Sequence, residues 1–222
     1  MPTSSQSAEV RAPLLHIGNR RFSSWSLRAW LVMRKAGLAF EENLVPLNEA
    51  GTRQALSAIS PGGTVPALQM RNAVIWDSLA ICEWAAEQAP EVWPSHEGQR
   101  GQARAAVAMM HAGFMALRET CPMNLCRTPS AIMLTDATQL DVARLQALWH
   151  DVKSVDGPWL FGRWSIADAF FTPVAARFYA YDIPLHAEAQ AYCDTLLADE
   201  DYRVWHQAAQ AETFANPYET QT

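Results

Sequence analysis

Three serines crowd into four positions in the stretch Arg21-Phe22-Ser23-Ser24-Trp25-Ser26-Leu27-Arg28. They stand where an apolar-periodic run begins, so any one of them reads most simply as a helix cap. Three are more than one cap requires. A hydroxyl at a helix N-terminus can also donate to a thiolate, and the helix dipole favours the same negative charge. A thiol held there becomes more acidic without the protein supplying a nucleophile of its own. A second group is Thr64-Val65-Pro66-Ala67-Leu68. An X-Pro bond at the entry to a short strand is a place where a cis peptide costs little. Proline also removes a donor, which leaves the N–H and C=O of Val65 free to pair with something outside the sheet. Third, Asp77-Ser78 opens another apolar-periodic helix, whose first N–H groups and dipole favour a bound carboxylate. Taken separately, the second and third groups are a turn and a cap. Together, an extended backbone edge beside a helix N-terminus suits a small peptide with a free acid group.

The elements that must position these residues alternate in the first half of the chain. Leu14-Leu15-His16-Ile17 is a short apolar strand ended by Gly18-Asn19. From Ser24 to Lys35, Leu27, Trp30, Leu31 and Arg34 recur at helical spacing, and Gly37 closes the helix. Phe40 to Leu47 reads as a strand ended at Pro46, and residues 49–58 as a weaker helix stopped by Ser60-Pro61-Gly62-Gly63. Pro66–Met70 and Ala73–Trp76 then form a hairpin through Arg71-Asn72, where Asn tolerates positive φ. A helix over Asp77–Gln88 completes the order β-α-β-α-β-β-α, a small mixed sheet covered by helices, of the thioredoxin type. Ala89-Pro90-Glu91-Val92-Trp93-Pro94-Ser95 breaks the pattern with two prolines and reads as a linker.

Beyond it the periodicity is purely helical. Arg100–Glu119 carries Ala103, Val107, Met110, Phe114 and Leu117 on one stripe, and Thr135–Val155 carries Leu140, Ala143, Leu145, Leu148 and Trp149. Met109, Met110, Met115 and Phe114 read as core filler. Ser165–Tyr181 is strongly apolar and reads as the central helix of a second domain, opened by Ser165-Ile166-Ala167-Asp168, a capping box with Asp in place of Glu. Helices follow at 187–198 and 200–210. The organisation expected is therefore a sheet domain at 13–89, a linker at 90–97, an all-helical domain at 98–212 and a loose tail over 1–12.

Composition narrows the function. The formal charge is −6 and the 17 basic residues are scattered, which disfavours nucleic acid as a partner. No apolar run reaches the ~18–20 residues a membrane helix needs, and no secretory leader is evident in the opening residues. Cys82, Cys121, Cys126 and Cys193 make no C-x-x-C pair, and neither they nor the six histidines fall at metal-ligand spacing. A reduced, cytoplasmic protein that uses no metal is the simplest expectation.

In this order, and over nearly all of residues 13–212, the chain resembles the cytosolic glutathione S-transferase superfamily. Phe22-Ser23-Ser24-Trp25-Ser26-Leu27-Arg28 is similar to the active-site turn of zeta-class members, with Trp25 where those have cysteine. The resemblance implies an α/β N-terminal thioredoxin-like domain and an all-α C-terminal domain, with glutathione as co-substrate. It implies that Ser23, or alternatively Ser24, stabilises the thiolate. Thr64-Val65-Pro66 matches the cis-proline loop that pairs with the cysteinyl backbone of glutathione, and Asp77-Ser78 the pair that holds the γ-glutamyl group. Thr64 stands where related chains often carry a basic residue, so Arg53 or Gln54 becomes the candidate for the glycyl carboxylate. The electrophile is expected where the two domains face each other, near Trp25 and the stretch Pro122, Asn124 and Arg127, with Pro122 interrupting a long helix. The expected activity is glutathione transfer to a small electrophile. A glutathione-dependent isomerase of the maleylacetoacetate type, an ether-cleaving enzyme or a non-catalytic ligand-binding protein are the alternatives. Homodimers are usual in the superfamily.

Overall fold

The computed structural model describes residues 12–215. The expected tail at 1–12 lies almost wholly outside them. The chain opens with β1 (Leu14–Ile17), α1 (Ser24–Lys35), β2 (Glu41–Leu44) and α2 (Thr52–Ile59). The hairpin β3 (Ala67–Gln69) and β4 (Val74–Trp76) follows, and α3 (Ser78–Gln88) closes the unit. The four strands lie in the order β2-β1-β3-β4, with β1 parallel to β2 and antiparallel to β3. This is the mixed sheet expected from the alternating pattern. Glu41 to Leu44 is a short, largely exposed edge strand, narrower than the Phe40 to Leu47 expected, and its last bond to β1 runs from Val45 N–H to Ile17 C=O at 2.8 Å. The hairpin closes by Met70 N–H to Ala73 C=O at 2.8 Å, yet Asn72 is not among the residues with positive φ.

α1 has the bounds its sequence implies because both ends carry their own stop. Ser23 caps the start. At the end, Gly37 takes φ 64°, and Leu38 N–H reaches Met33 C=O at 3.2 Å while Gly37 N–H reaches Arg34 C=O at 3.0 Å. These are the two bonds that satisfy the last carbonyls of a helix closed by glycine.

A one-turn 3-10 segment at Pro90–Val92 leads to the helical part: α4 (Glu97–Ala112), α5 (Met115–Thr120), α6 (Asp136–Val152), α7 (Ile166–Ala180), α8 (Ala187–Ala198) and α9 (Glu200–Gln210). α7 is buried along almost its whole length and packs against α1, α4 and α8, so one helix serves both the core of its own domain and the joint with the sheet domain. Its start is fixed by Asp168, which accepts from Ser165 N–H (2.8 Å), Leu160 N–H (3.1 Å) and the Tyr192 hydroxyl (2.8 Å).

The long helix expected over Arg100–Glu119 is corrected in one respect. It breaks at Gly113-Phe114, where Phe114 is left-handed (φ 59°), and Pro122 lies outside any helix, in the segment after α5. A β-carbon on Gly113 would stand 2.8 Å from Met109 C=O, so only glycine allows this tight bend. Met115, just after the bend, is exposed and is no part of the core, and neither is Leu140. Among the described residues no helix is long and apolar enough to cross a membrane, and no group of three or more His, Cys, Asp or Glu could hold a metal ion.

Candidate active site

Strand register alone gathers the three sequence groups. Ala67 pairs with His16 and with Trp76, so the residues before Ala67, after Ile17 and after Trp76 all leave the sheet at the same end. These are Thr64-Val65-Pro66, the turn leading to Ser23, and Asp77-Ser78. The Val65–Pro66 peptide is cis. No ladder or main-chain hydrogen bond among the described residues uses Val65, so its donor and acceptor stay open at this end. The loop before it packs closely: a β-carbon on Gly62 would stand 2.7 Å from the Trp76 ring.

The turn at the start of α1 is tied from several sides. Asn19 C=O accepts from Ser23 N–H at 2.8 Å, and Asn19 Oδ1 accepts from Leu47 N–H at 2.7 Å. From the far end of the chain, the Glu212 carboxylate accepts from the N–H groups of Arg20 (2.7 Å) and Arg21 (3.1 Å), and Trp205 Nε1 donates to Arg20 C=O. The serines that follow play different parts. Ser23 Oγ accepts from Ser26 N–H and donates to Ser26 Oγ at 2.8 Å, which is the work of an N-cap. Ser26 Oγ in turn accepts from Gly18 N–H, so it braces the turn. Ser24 is different: its oxygen accepts from Arg177 Nη2 of α7 at 3.3 Å, and no hydrogen bond among the described residues uses its hydrogen.

Asp77 is the N-cap of α3, with Oδ1 accepting from Leu79 N–H at 2.8 Å. Its Oδ2 lies 3.1 Å from Nε2 of His111 on α4. Burial pushes the His111 imidazole below its ordinary value; Asp77 opposes this, while Arg28 and Arg118 reinforce it. Ser78 is fully buried and its hydroxyl has no partner among the described residues. Gln54 and Arg53 lie exposed on α2.

Trp25 stands where the two domains meet. His111 meets its ring edge-on at 5.0 Å, and the guanidinium of Arg118 from α5 lies 5.3 Å from it. The segment Cys121–Arg127 is laid against the serine turn by Leu125 N–H to Arg21 C=O at 3.1 Å. Within it, Pro122 C=O accepts from the Tyr181 hydroxyl and Asn124 Oδ1 accepts from Cys126 N–H. Arg127 donates to Ala180 C=O and to Ser130 Oγ and lies 4.5 Å from the Tyr181 ring, so its guanidinium is spent on the end of α7.

Four further residues face this region: Arg28, which lies in the serine stretch without a role of its own, Arg118, which lies in the Leu117–Arg127 stretch expected to meet the electrophile, His111 and Arg177. Arg177 left a signal as a lone cation in a helix that is otherwise almost wholly apolar, and His111 left none.

A sheet of this topology with its helices, joined through one buried helix to an all-helical domain, defines a thioredoxin-like domain carrying a helical partner. Residues 22–88 match the glutathione S-transferase N-terminal domain family. Over 210 residues the chain is 26% identical to a probable maleylacetoacetate isomerase of Caenorhabditis elegans, covering 92% of this chain and 97% of that one. Among solved structures, a glutathione transferase homolog from Burkholderia gl BGR1 with bound glutathione superposes at TM-score 0.72. It is 24% identical, covering 90% of this chain and 99% of that one. Glutathione transferase Omega 3C of Trametes versicolor superposes at 0.68, with 18% identity over 92% of this chain and 91% of its own. Residues 22–88 thus carry a glutathione S-transferase N-terminal domain, and the chain shares its fold with these glutathione transferases.

Proposed function

We propose that this protein is a glutathione transferase-type enzyme, with glutathione as co-substrate held at the end of the sheet where Val65, the start of α1 and the start of α3 converge. The observation that carries the reading is the open main chain of Val65 beside the serine turn. An extended peptide placed there completes a strand-like pair with Val65, and its acid group falls to the N-terminus of α3, where Asp77 takes an amino group and Ser78 has a hydroxyl to spare. Thr64 and Pro66 shape that edge, and Gln54 or Arg53 supplies the contact to the glycyl end. The bound glutathione of the Burkholderia homolog supports the choice of peptide.

The sulfur then lies at the start of α1. The dipole of that helix and a serine hydroxyl favour its anionic form. Geometry divides the serines: Ser23 holds the helix start, whereas Ser24 has an oxygen fixed by Arg177 and a hydrogen to give, so Ser24 is the better donor. The thiolate attacks an electrophilic carbon held between Trp25 and the Pro122–Arg127 segment. A C–S bond forms, and the leaving group departs with the bonding electrons. Serine cannot form a mixed disulfide, so conjugation or isomerisation is favoured over thiol–disulfide reduction.

The C. elegans relative favours a second reading, glutathione-dependent cis–trans isomerisation, in which the thiolate adds to a conjugated carbon, the bond rotates and the sulfur is expelled. The protein acts in the cytoplasm as a homodimer, a state that light scattering measures directly.

The test is calorimetric titration with glutathione followed by turnover on a chlorinated nitrobenzene and on a dienone acid. Binding with turnover on the first supports transfer, and on the second isomerisation. Binding without any turnover leaves a ligand-binding protein, and no binding removes the reading.

A further inference from the structure

Arg20 and Arg21, in the turn from β1 to α1, spend all four of their main-chain polar groups outside the sheet domain. Both N–H groups go to the Glu212 carboxylate beyond the end of α9, Arg20 to Oε1 at 2.7 Å and Arg21 to Oε2 at 3.1 Å. Arg20 C=O accepts from Trp205 Nε1 of α9 at 3.0 Å, and Arg21 C=O from Leu125 N–H at 3.1 Å. The turn that ends in Ser23 and Ser24 is therefore seated in the helical domain by its backbone.

α9 also holds the segment on the electrophile side. His206 Nε2 lies 3.0 Å from Leu125 C=O, and Cys126 Sγ donates to Ala209 C=O at 3.6 Å. Leu125 thus bonds the serine turn through its N–H and α9 through its C=O. The turn, the segment Cys121–Arg127 and α9 with Glu212 close a ring, in which the third member sets the spacing of the other two.

Glu212 is the charged member of that ring. Its side chain is only 6% exposed, and burying a carboxylate is costly unless it is bonded. Its returns are the two adjacent N–H groups, the Arg20 guanidinium at 3.9 Å, and Arg21 Nη2, which donates to the Glu212 C=O at 2.7 Å. Hydrogen bonds to an ionised acceptor are the strong ones, and two of them on neighbouring amides fix orientation as well as position. No other hydrogen bond among the described residues uses those two N–H groups, so without the carboxylate the Arg20-Arg21 backbone is held through its carbonyls alone.

We propose that Glu212 is a positioning residue for the reaction: from the far end of the chain it holds the serine turn in place against the electrophile segment, and it touches neither substrate. The inference rests on the reading of the site as that of a glutathione-dependent enzyme. The peptide itself is held elsewhere, at Val65 and Asp77, so Glu212 governs turnover and not the grip on glutathione. A reacting group displaced by about 1 Å can cost up to about 100-fold in rate.

The experiment measures kcat and KM for glutathione, on whichever of the chlorinated nitrobenzene and the dienone acid the wild type turns over. The variants are Glu212→Ala, Glu212→Gln, Ser24→Ala and the double Glu212→Ala/Ser24→Ala, with circular dichroism as the check of folding. Glu212→Ala is expected to lower kcat about tenfold or more with KM within about threefold of wild type. Glu212→Gln, which keeps the shape and one of the two acceptors, should fall between. Because Glu212 acts through the turn, the double variant should lie within about threefold of Ser24→Ala alone. A folded Glu212→Ala at wild-type kcat overturns the proposal. So does a double variant whose losses multiply, or a loss that appears in KM alone. Should Glu212→Ala fail to fold, Glu212→Gln is read by the same criteria, and two unfolded variants make Glu212 a residue of the fold and overturn the proposal. A wild type inactive on both substrates overturns the functional reading itself, and this proposal with it.

Discussion

Among the described residues two helices, α1 and α7, are capped by a serine, and the polar groups around the two are used in opposite ways. At α7, Asp168 takes four hydrogen bonds from Ser165, Leu160 and Tyr192, and the carboxylate is fully enclosed by the groups it satisfies. At α1, Ser23 and Ser26 satisfy each other, while among the described residues nothing takes the Ser24 hydrogen or pairs with the three buried nitrogens of Arg28. Buried polar groups in a finished core find partners. A closed account marks a nucleating structural element. On the proposed function, the open one is completed by the bound peptide.

The comparison can be broken most forcefully at α7. Asp168→Ala strands buried donors from three residues and is expected to cost about 3–5 kcal/mol of stability, read from urea unfolding midpoints. A loss under about 1 kcal/mol would mean that the box is not the keystone of the helix. At α1, Ser24→Ala is expected to lower kcat/KM about 100-fold, the scale for removing one donor to a reacting anion, with little change in unfolding. Equal losses from Ser23→Ala and Ser24→Ala would erase the division between cap and donor.

Asp77→Ala should weaken glutathione binding about tenfold by calorimetry, since one charged contact is worth about 1.5 kcal/mol or more. An unchanged dissociation constant would assign Asp77 to the cap alone. Ser23→Ala should cost about 1 kcal/mol of stability as a lost cap. The smallest effect belongs to His111. Its folded value lies below the ordinary imidazole range, so its contribution to stability is present above that range and is lost as pH falls through the depressed value. Partial exposure keeps the amount under about 1 kcal/mol, and His111→Gln should flatten that part of the stability–pH curve.

Particular residues show why some of this was legible in the chain and some was not. The bounds of α1, α8 and α9 and the capping box of α7 follow from short-range chemistry, because a cap, a closing glycine or an apolar period acts within a few residues of itself. Ser23 and Asp77 were readable as caps for the same reason. The break at Gly113-Phe114 was missed because the apolar stripe runs on across it, and periodicity does not report a left-handed residue. Arg127 offered itself as a substrate ligand on position alone; besides Ser130, its partners Ala180 and Tyr181 lie more than fifty residues away.

The chain's own order of residues determined where most of the helices start and stop and that a sheet domain precedes a helical one. Each of these rests on hydrogen bonds and side-chain periods that span a few residues. Only the folded molecule decided that α7 packs against α1 and carries Arg177 to Ser24, that α5 and α4 bring Arg118 and His111 to Trp25, and that Arg28 is buried between two rings with no hydrogen-bond partner among the described residues. Burial and charge balance depend on which distant segments share a volume, and packing alone sets that.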